Sequence, residues 1–172
     1  MTPGNAIGPR VFLLCGRSFS GKSTLAARLA AITGALVVSL DGLNLERGLV
    51  SVEGVSAEEW GKTHEEARRL LARGLAEGRD VVFDDTACFR VLRDDVRRVA
   101  AAAGAVTVLL FLDVPRSELE ARRAEAARTG SRAPVCDEVF DRHVAAFEEP
   151  GPDEAPIRLF PEAALRAYLE SL

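Results

Sequence analysis

Apolar positions along the chain fall into short unbroken runs separated by longer stretches of helical periodicity. Four runs lack the alternation of a half-buried strand, as expected for strands of a parallel sheet that is covered on both faces. These runs are Val11–Cys15, Leu36–Leu40, Val81–Phe83 and Val106–Leu112, and Ile157–Phe160 is a fifth candidate. The order of strand, helix and strand predicts an α/β fold.

The helical stretches carry recognisable start and stop signals. Gly34, Gly78 and Gly104 each follow the last periodic residue of a helix, where a left-handed conformation ends the helix. Ser56 and Glu59 have the spacing of a capping box at the start of the helix that ends at Gly78. Three more helices are predicted from Pro115 to about Arg128, over Val135–Phe147 and over Glu162–Leu169. No repeat or linker divides the sequence, so a single domain is expected over residues 1–172.

Composition narrows the class of protein. With 48% hydrophobic and 28% charged residues, the chain is typical of a globular protein. The formal net charge of −4 excludes a global basic field that would attract nucleic acid or anionic membranes. Cys15, Cys88 and Cys136 are widely spaced, which argues against a disulfide framework or structural zinc. No apolar run reaches the roughly 20 residues of a membrane span, and we expect a soluble cytoplasmic protein.

The most specific motif follows the first apolar run. Residues 16–23 read Gly-Arg-Ser-Phe-Ser-Gly-Lys-Ser and match G-x-x-x-x-G-K-[ST], a phosphate-binding P-loop. Its backbone amides and the N-terminus of the next helix attract phosphate, Lys22 reaches the β- and γ-phosphates, and the Ser23 hydroxyl binds Mg²⁺. ATP and Mg²⁺ are therefore the expected cofactors. The residues predicted to bind them are Gly16, Ser18, Ser20, Gly21, Lys22, Ser23 and Thr24.

Two further strands end in carboxylates. Asp84 closes the third run and is a candidate Mg²⁺ ligand, although spacing alone does not separate it from Asp85. Asp41 ends the second run, and the carboxyl ends of parallel strands open on one edge of the sheet. Asp41 could therefore accept a proton from an attacking hydroxyl, or it could cap the turn through Gly42.

The helix that begins near Pro115 is rich in arginine. An arginine carried by a closing lid can stabilise the charge that develops during phosphoryl transfer. A solvated face paired with glutamates is the alternative. The arginines are Arg116, Arg122, Arg123, Arg128 and Arg132, and the glutamates are Glu118, Glu120 and Glu125.

Together these features resemble a family of small P-loop kinases that includes the 5′-kinase domain of polynucleotide kinase, chloramphenicol phosphotransferase, gluconate-type kinases and zeta toxins. The resemblance rests on residues 16–23, Asp41, residues 82–86, residues 112–115 with the lid, and residues 147–150. It implies five parallel strands in the order 2-3-1-4-5, with Asp41 as the base. It also implies a lid over about residues 115–135 in which Arg122, Arg123 or Arg128 acts.

Two departures from the family concern the acceptor. Polynucleotide kinases carry an arginine three residues after the base, where this chain has Asn44, and Asp85 stands where related sequences often have Asn. The segment after Asp41 is acidic, whereas a nucleic-acid end needs a cationic approach. Its carboxylates are Glu46, Glu53, Glu58 and Glu59. We expect a small hydroxylated acceptor, bound in part by Leu43–Val55, which shows no regular pattern.

The hypothesis is an ATP-dependent phosphotransferase that moves the γ-phosphate to a hydroxyl of a small molecule. One alternative is a polynucleotide or nucleoside 5′-hydroxyl kinase, and another is a regulatory nucleotide-binding module with slow ATP hydrolysis. The [NT]-K-x-D and D-x-x-G motifs of GTPases and the L-S-G-G signature of ABC cassettes do not occur. His64 and His143 have no metal-ligand spacing and are expected at the surface or in helix packing.

Overall fold

The computed structural model describes residues 8–49, 55–131 and 134–172. The strands are β1 (Arg10–Cys15), β2 (Leu36–Ser39), β3 (Val81–Asp84), β4 (Val106–Phe111) and β5 (Ile157–Arg158). The helices are α1 (Lys22–Thr33), α2 (Leu40–Glu46), α3 (Ala57–Ala76), α4 (Arg90–Ala102), α5 (Arg116–Thr129), α6 (Asp137–Ala145) and α7 (Glu162–Glu170). A short 3-10 helix covers Pro152–Glu154.

The five strands form one parallel sheet in the order β2-β3-β1-β4-β5, which confirms the predicted fold. The register pairs Ser39 with Asp84 at the carboxyl ends of β2 and β3. The strand β1 lies in the centre, so the loop that follows it opens at the middle of the sheet edge. This edge collects the residues predicted to bind phosphate, metal and acceptor.

Both faces of the sheet are covered, which explains the unbroken apolar runs. Alternate residues of β1 enter different cores: Val11 and Leu13 point to one face, and Phe12 and Leu14 to the other. Helices α3 and α4 cover the first face, and α1 packs on the second together with buried residues of α5, α6 and α7. No helix in the described ranges is both long and apolar enough to cross a membrane.

Helix ends follow local chemistry. The Ser56 hydroxyl accepts a hydrogen bond from the Glu59 backbone N–H at 3.2 Å and caps α3. The predicted terminators Gly34, Gly78 and Gly104 all have positive φ, between 68° and 73°.

The segment after β2 differs from the expectation. Residues 40–46 form helix α2, so the prediction that Leu43–Val55 lacks regular structure was wrong for Leu43–Glu46, while residues 50–54 lie outside the described part. The strand ends one residue earlier than predicted because the Ser39 hydroxyl caps α2 by accepting from the Gly42 N–H at 3.3 Å. Leu40 and Asn44 bury one side of this helix. Asp41 consequently lies in its first turn instead of at the strand end.

Candidate active site

The P-loop joins β1 to α1 and is held by hydrogen bonds at both ends. Its Gly16 N–H donates to the Thr86 carbonyl at 3.1 Å, which ties the loop to the chain that follows β3. The Lys22 Nζ donates to the carbonyl oxygens of Gly16 at 2.8 Å and Arg17 at 3.1 Å. The lysine thus curls over the loop, close to where a phosphate chain would lie.

The start of α1 suits an anion. Gly21 caps the helix with φ 100°, a left-handed conformation that favours glycine, and the first turn contains no acidic side chain. The Ser20 Oγ is buried and has no hydrogen-bond partner among the described residues. An unpartnered buried hydroxyl beside the N-terminus of a helix fits a phosphate oxygen. Ser23 and Thr24 of the first turn are exposed toward solvent.

Asp84 lies opposite the P-loop at the end of β3. Burial raises the pKa of its carboxyl group, while the Lys22 ammonium and a hydrogen bond with the Ser23 hydroxyl act in the opposite sense. The carboxylates of Asp41 and Asp85 are close enough to raise the Asp84 pKa further. The structure therefore brings Asp41, Asp84, Ser23 and Lys22 together at the carboxyl edge of the sheet.

Asp85 faces helix α3. Burial raises the pKa of its carboxyl group, while the neighbouring His64 ring and hydrogen bonds from the N–H groups of Thr86 and Ala87 act in the opposite sense. His64 is half-buried, with its ring 6.2 Å from that of Trp60 one turn earlier. The sequence predicted His64 at the surface or in helix packing and gave no connection with Asp85. The spacing of Trp60, His64, Ala67 and Leu71 along one helical face was the available signal.

One predicted lid arginine reaches the P-loop. The Arg122 Nη1 donates to the Ser20 carbonyl at 3.0 Å, and its Nε donates to Glu118 at 2.9 Å. Of the fourteen residues of α5, all of them described, Leu119 is the buried one. Leu119 is thus the residue of α5 that enters the core.

The other lid arginines make different contacts. Arg123 donates to the Val135 carbonyl at 3.0 Å, pairs with Asp137 and lies over the Phe140 ring at 4.9 Å. It lines a groove of about 360 Å³ between α5 and the start of α6. Arg128 pairs with Glu125 and is 72% exposed, and Arg116 pairs with Glu120 and Asp141. Arg132 lies outside the described residues.

A buried network of charged groups, which the sequence did not predict, connects the segments next to the site. Arg93 binds the Glu154 carboxylate with Nε–Oε2 at 2.7 Å and Nη2–Oε1 at 2.8 Å. Its Nη1 also donates to the carbonyls of Ala87 at 2.8 Å and Glu148 at 2.9 Å. The chain after Asp85 is thereby fixed to the segment before β5. Arg17 of the P-loop is fixed to the same segment by Glu149 at 3.0 Å.

These residues fit ATP and Mg²⁺. Three observations support the fit: the buried Ser20 hydroxyl has no hydrogen-bond partner among the described residues, Ser23 is hydrogen-bonded to Asp84, and Lys22 lies over the loop. Across residues 8–49, 55–131 and 134–172, no three His, Cys, Asp or Glu side chains form a metal cage. Mg²⁺ needs no such cage, because it is usually held by one or two protein ligands, water and substrate phosphates.

Comparisons with known proteins agree with this geometry. A family model described as an AAA domain matches residues 11–150. An unliganded sugar kinase from Janibacter sp. HTCC2649 has 21% identity and a TM-score of 0.67, with 94% of this chain and 93% of that chain covered. A search of curated proteins found no match.

Two further solved structures share the fold. The APS kinase CysC of Mycobacterium tuberculosis, in complex with AMPPNP and APS, has 23% identity and a TM-score of 0.64 over 96% of this chain and 98% of that chain. A gluconokinase from Sinorhizobium meliloti 1021 has 21% identity and a TM-score of 0.62, with 96% of this chain and 95% of that chain covered. The predicted resemblance to small P-loop kinases is confirmed, and at these identities the likeness shows the fold.

Proposed function

This chain belongs to the AAA domain family, and from that premise we propose that it transfers the γ-phosphoryl group of ATP to a hydroxyl of a small molecule. The acceptor oxygen forms a bond to the γ-phosphorus while the bond from that phosphorus to the β–γ bridging oxygen breaks, and ADP leaves. The hydroxyl proton passes to the Asp41 carboxylate. The cytoplasm, where ATP is abundant and cysteines stay reduced, is the location this reaction implies.

The observation that carries the proposal is the proximity of Asp41 to the phosphate side of the cleft. Its charge acts on Asp84, which itself accepts a hydrogen bond from Ser23 at the start of α1. An exposed carboxylate at this point can accept the proton of a hydroxyl that attacks the γ-phosphate.

The other residues hold and neutralise the phosphates. The P-loop amides and Lys22 would bind the β- and γ-phosphates, and Ser23 and Asp84 would hold Mg²⁺, which when bound neutralises charge on the phosphate oxygens. Arg122 is the lid residue we assign to the transferred group, because it already contacts the P-loop at Ser20. Arg123 contacts Val135 and Asp137 where the chain enters α6, and Arg128 contacts Glu125 within α5.

Replacement of Asp41 tests the proposal. Asp41→Asn keeps the shape of the side chain but removes its basicity, so acceptor-dependent ADP release should fall by about a hundredfold or more. Binding of Mg·ATP, measured by calorimetry, should stay within about threefold. Glu46→Gln removes one charge from an exposed position of the same helix and should leave both quantities unchanged. Equal activities of the two variants would refute the role of Asp41.

A second pair of variants identifies the lid arginine. Arg122→Gln and Arg128→Gln remove the same charge from the same helix, but only Arg122 contacts the P-loop. We expect transfer to fall by about tenfold to a thousandfold in Arg122→Gln and by less than about twofold in Arg128→Gln. The opposite ranking would assign the role to Arg128.

A further inference from the structure

Arg17, the second residue of the P-loop, has its side chain bound outside the loop. Its Cζ lies 4.6 Å from the centre of the Phe147 ring, and its Nη2 donates to the Glu149 carboxylate at 3.0 Å. The Arg17 side chain is 17% exposed, so solvent screens these contacts less than those of a fully exposed pair. A ring and a carboxylate two residues apart thus hold one guanidinium group. We call residues 147–149 the anchor segment.

The anchor segment has contacts of its own with the sheet and with the chain after β3. Phe147 is buried, and its ring is stacked 5.9 Å from that of Phe111 in β4. The Glu148 N–H donates to the Cys88 carbonyl at 2.8 Å, and the Glu148 carboxylate accepts from the Arg90 N–H at 2.8 Å. These contacts do not involve Arg17, so the anchor segment is a fixed support to which the P-loop is attached.

The backbone of Arg17 takes part in the loop itself. Its carbonyl oxygen accepts two hydrogen bonds, one from the Ser20 N–H at 3.2 Å and one from the Lys22 Nζ at 3.1 Å. Lys22 is the residue proposed to reach the β- and γ-phosphates. The position of the Arg17 carbonyl therefore influences where the Lys22 ammonium group lies, and small displacements of a phosphate-binding group have large effects.

One donor of the Arg17 side chain indicates that stability alone does not explain this residue. The Nε atom is buried and has no hydrogen-bond partner among the residues that the structure describes. A buried donor without a partner lowers stability. Selection for stability alone would favour a side chain without this donor, so the position of the guanidinium group is expected to serve the loop.

Resting on the nucleotide site of the phosphotransferase proposed above, we propose that Arg17 is a positioning residue for the triphosphate of ATP. Its side chain, held by Phe147 and Glu149, fixes the backbone of the P-loop and thereby the Lys22 ammonium group. Arg17 acts through Lys22, because its own charge is matched by Glu149. A loop that is fixed before the nucleotide arrives loses less conformational entropy on binding.

A matched pair of arginine variants tests the proposal. Arg17→Met and Arg28→Met each remove an arginine that pairs with a glutamate, Arg17 with Glu149 and Arg28 of α1 with Glu162 at 3.7 Å. Calorimetry measures the dissociation constant of Mg·ATP in each variant. We expect it to rise about fivefold to twentyfold in Arg17→Met and by less than about twofold in Arg28→Met. Equal dissociation constants in the two variants would overturn the proposal.

Amide hydrogen exchange of the protein without nucleotide separates positioning from a general loss of stability. The Ser20 N–H donates to the Arg17 carbonyl, so its protection should fall by about tenfold in Arg17→Met. The Leu25 N–H, which donates to the Gly21 carbonyl at 3.0 Å in α1, should keep its protection. Equal losses at the two amides, or unchanged protection of Ser20, would contradict a positioning role.

Replacement of Glu149 tests the same connection without a change in the P-loop. Glu149 is 49% exposed, so Glu149→Gln should not disturb folding. The Mg·ATP dissociation constant should rise about twofold to threefold in Glu149→Gln and no further when Glu149→Gln is added to Arg17→Met. Glu162→Gln is the matched control and should have no effect. A rise of the same size in both backgrounds would show that Glu149 does not act through Arg17 and would overturn the proposal.

These binding measurements need no acceptor, so they separate the role of Arg17 from the proposed reaction. Mg·ATP binding that depends on Arg17, without acceptor-dependent ADP release, would support the role of Arg17 and refute the phosphotransferase. Transfer activity with Mg·ATP binding that is unchanged in Arg17→Met would support the phosphotransferase and overturn the role of Arg17. A wild-type protein that does not bind Mg·ATP would refute both.

Discussion

The buried pair of Arg93 and Glu154 offers the sharpest stability prediction. Both side chains are 1% exposed, and the two groups share two hydrogen bonds. Replacement of Glu154 by Gln keeps the size of the side chain but leaves the Arg93 charge in the interior without its counter-ion. The protein must then hold an unbalanced cation away from water or open the structure around it.

The expected loss follows from two independent considerations. The hydrogen bond from Arg93 lowers the pKa of Glu154 from 4.5 to about 2, which at about 1.4 kcal/mol per pH unit corresponds to about 3 kcal/mol. Removal of one partner from a buried ion pair typically lowers the free energy of unfolding by about 3–5 kcal/mol. The two values agree, and we expect a loss of about 3 kcal/mol for Glu154→Gln.

Urea unfolding as a function of pH is the assay. Because the pKa of folded Glu154 lies below its unfolded value, its contribution is present above pH 4.5 and is lost as the pH falls toward 2. The wild-type protein should therefore lose more stability across that interval than Glu154→Gln does. Asp153→Asn is the control, since Asp153 is exposed and its loss should leave the unfolding free energy nearly unchanged.

A double variant removes both charges. In Arg93→Met/Glu154→Leu no unbalanced charge remains, but the carbonyls of Ala87 and Glu148 lose their donor, so the double variant measures the charge and these hydrogen bonds together. A loss below about 1 kcal/mol in Glu154→Gln would refute the electrostatic reasoning.

Three more predictions concern a helix packing contact, the metal site and thiol reactivity. In α3, Gly74→Ala should be less stable than Gly61→Ala by at least about 1 kcal/mol in urea unfolding, because a Cβ at Gly74 meets Leu36 at 2.9 Å whereas Gly61 faces open space. Burial raises the pKa of Asp84, so the ionised form is disfavoured in the folded state. Asp84→Asn should therefore raise the melting temperature at pH 7, by an amount that fades as the pH falls toward 3.8, and abolish the additional stabilisation by Mg·ATP. With iodoacetamide at pH 8, mass spectrometry should find exposed Cys136 alkylated and Cys88 unmodified, since burial raises the Cys88 pKa to about 11.

The sheet could be predicted from the sequence because its signals are local. Each strand is a run of apolar residues, and the P-loop is a contiguous motif between a strand and a helix. Helix α2 was not predicted because seven residues make slightly less than two turns, and Gly42 in its first turn resembles a turn residue. Its start depends on the Ser39 hydroxyl, which lies at the end of a strand and gives no separate signal.

The other features that the sequence did not predict depend on contacts between residues that are distant along the chain. Arg93 lies in an amphipathic helix and its partner Glu154 in a turn 61 residues later, so each appears as an ordinary surface charge until the chain is folded. The approach of Asp41 to Asp84 was predictable because parallel strands share an edge. The approach of His64 to Asp85 was not, because it depends on how α3 is rotated about its axis.

The arrangement of charge in the cleft is itself an argument for ligand binding. Asp84 and Asp85 are both disfavoured as carboxylates by their surroundings, and Asp41 raises the Asp84 pKa further. Selection for stability alone would replace at least one of them with a neutral residue. Elsewhere the protein matches its buried charges closely, as Arg93 and Glu154 do. Carboxylates that their surroundings disfavour beside the P-loop therefore lower the stability of the free protein, and a divalent cation bound there would offset the loss.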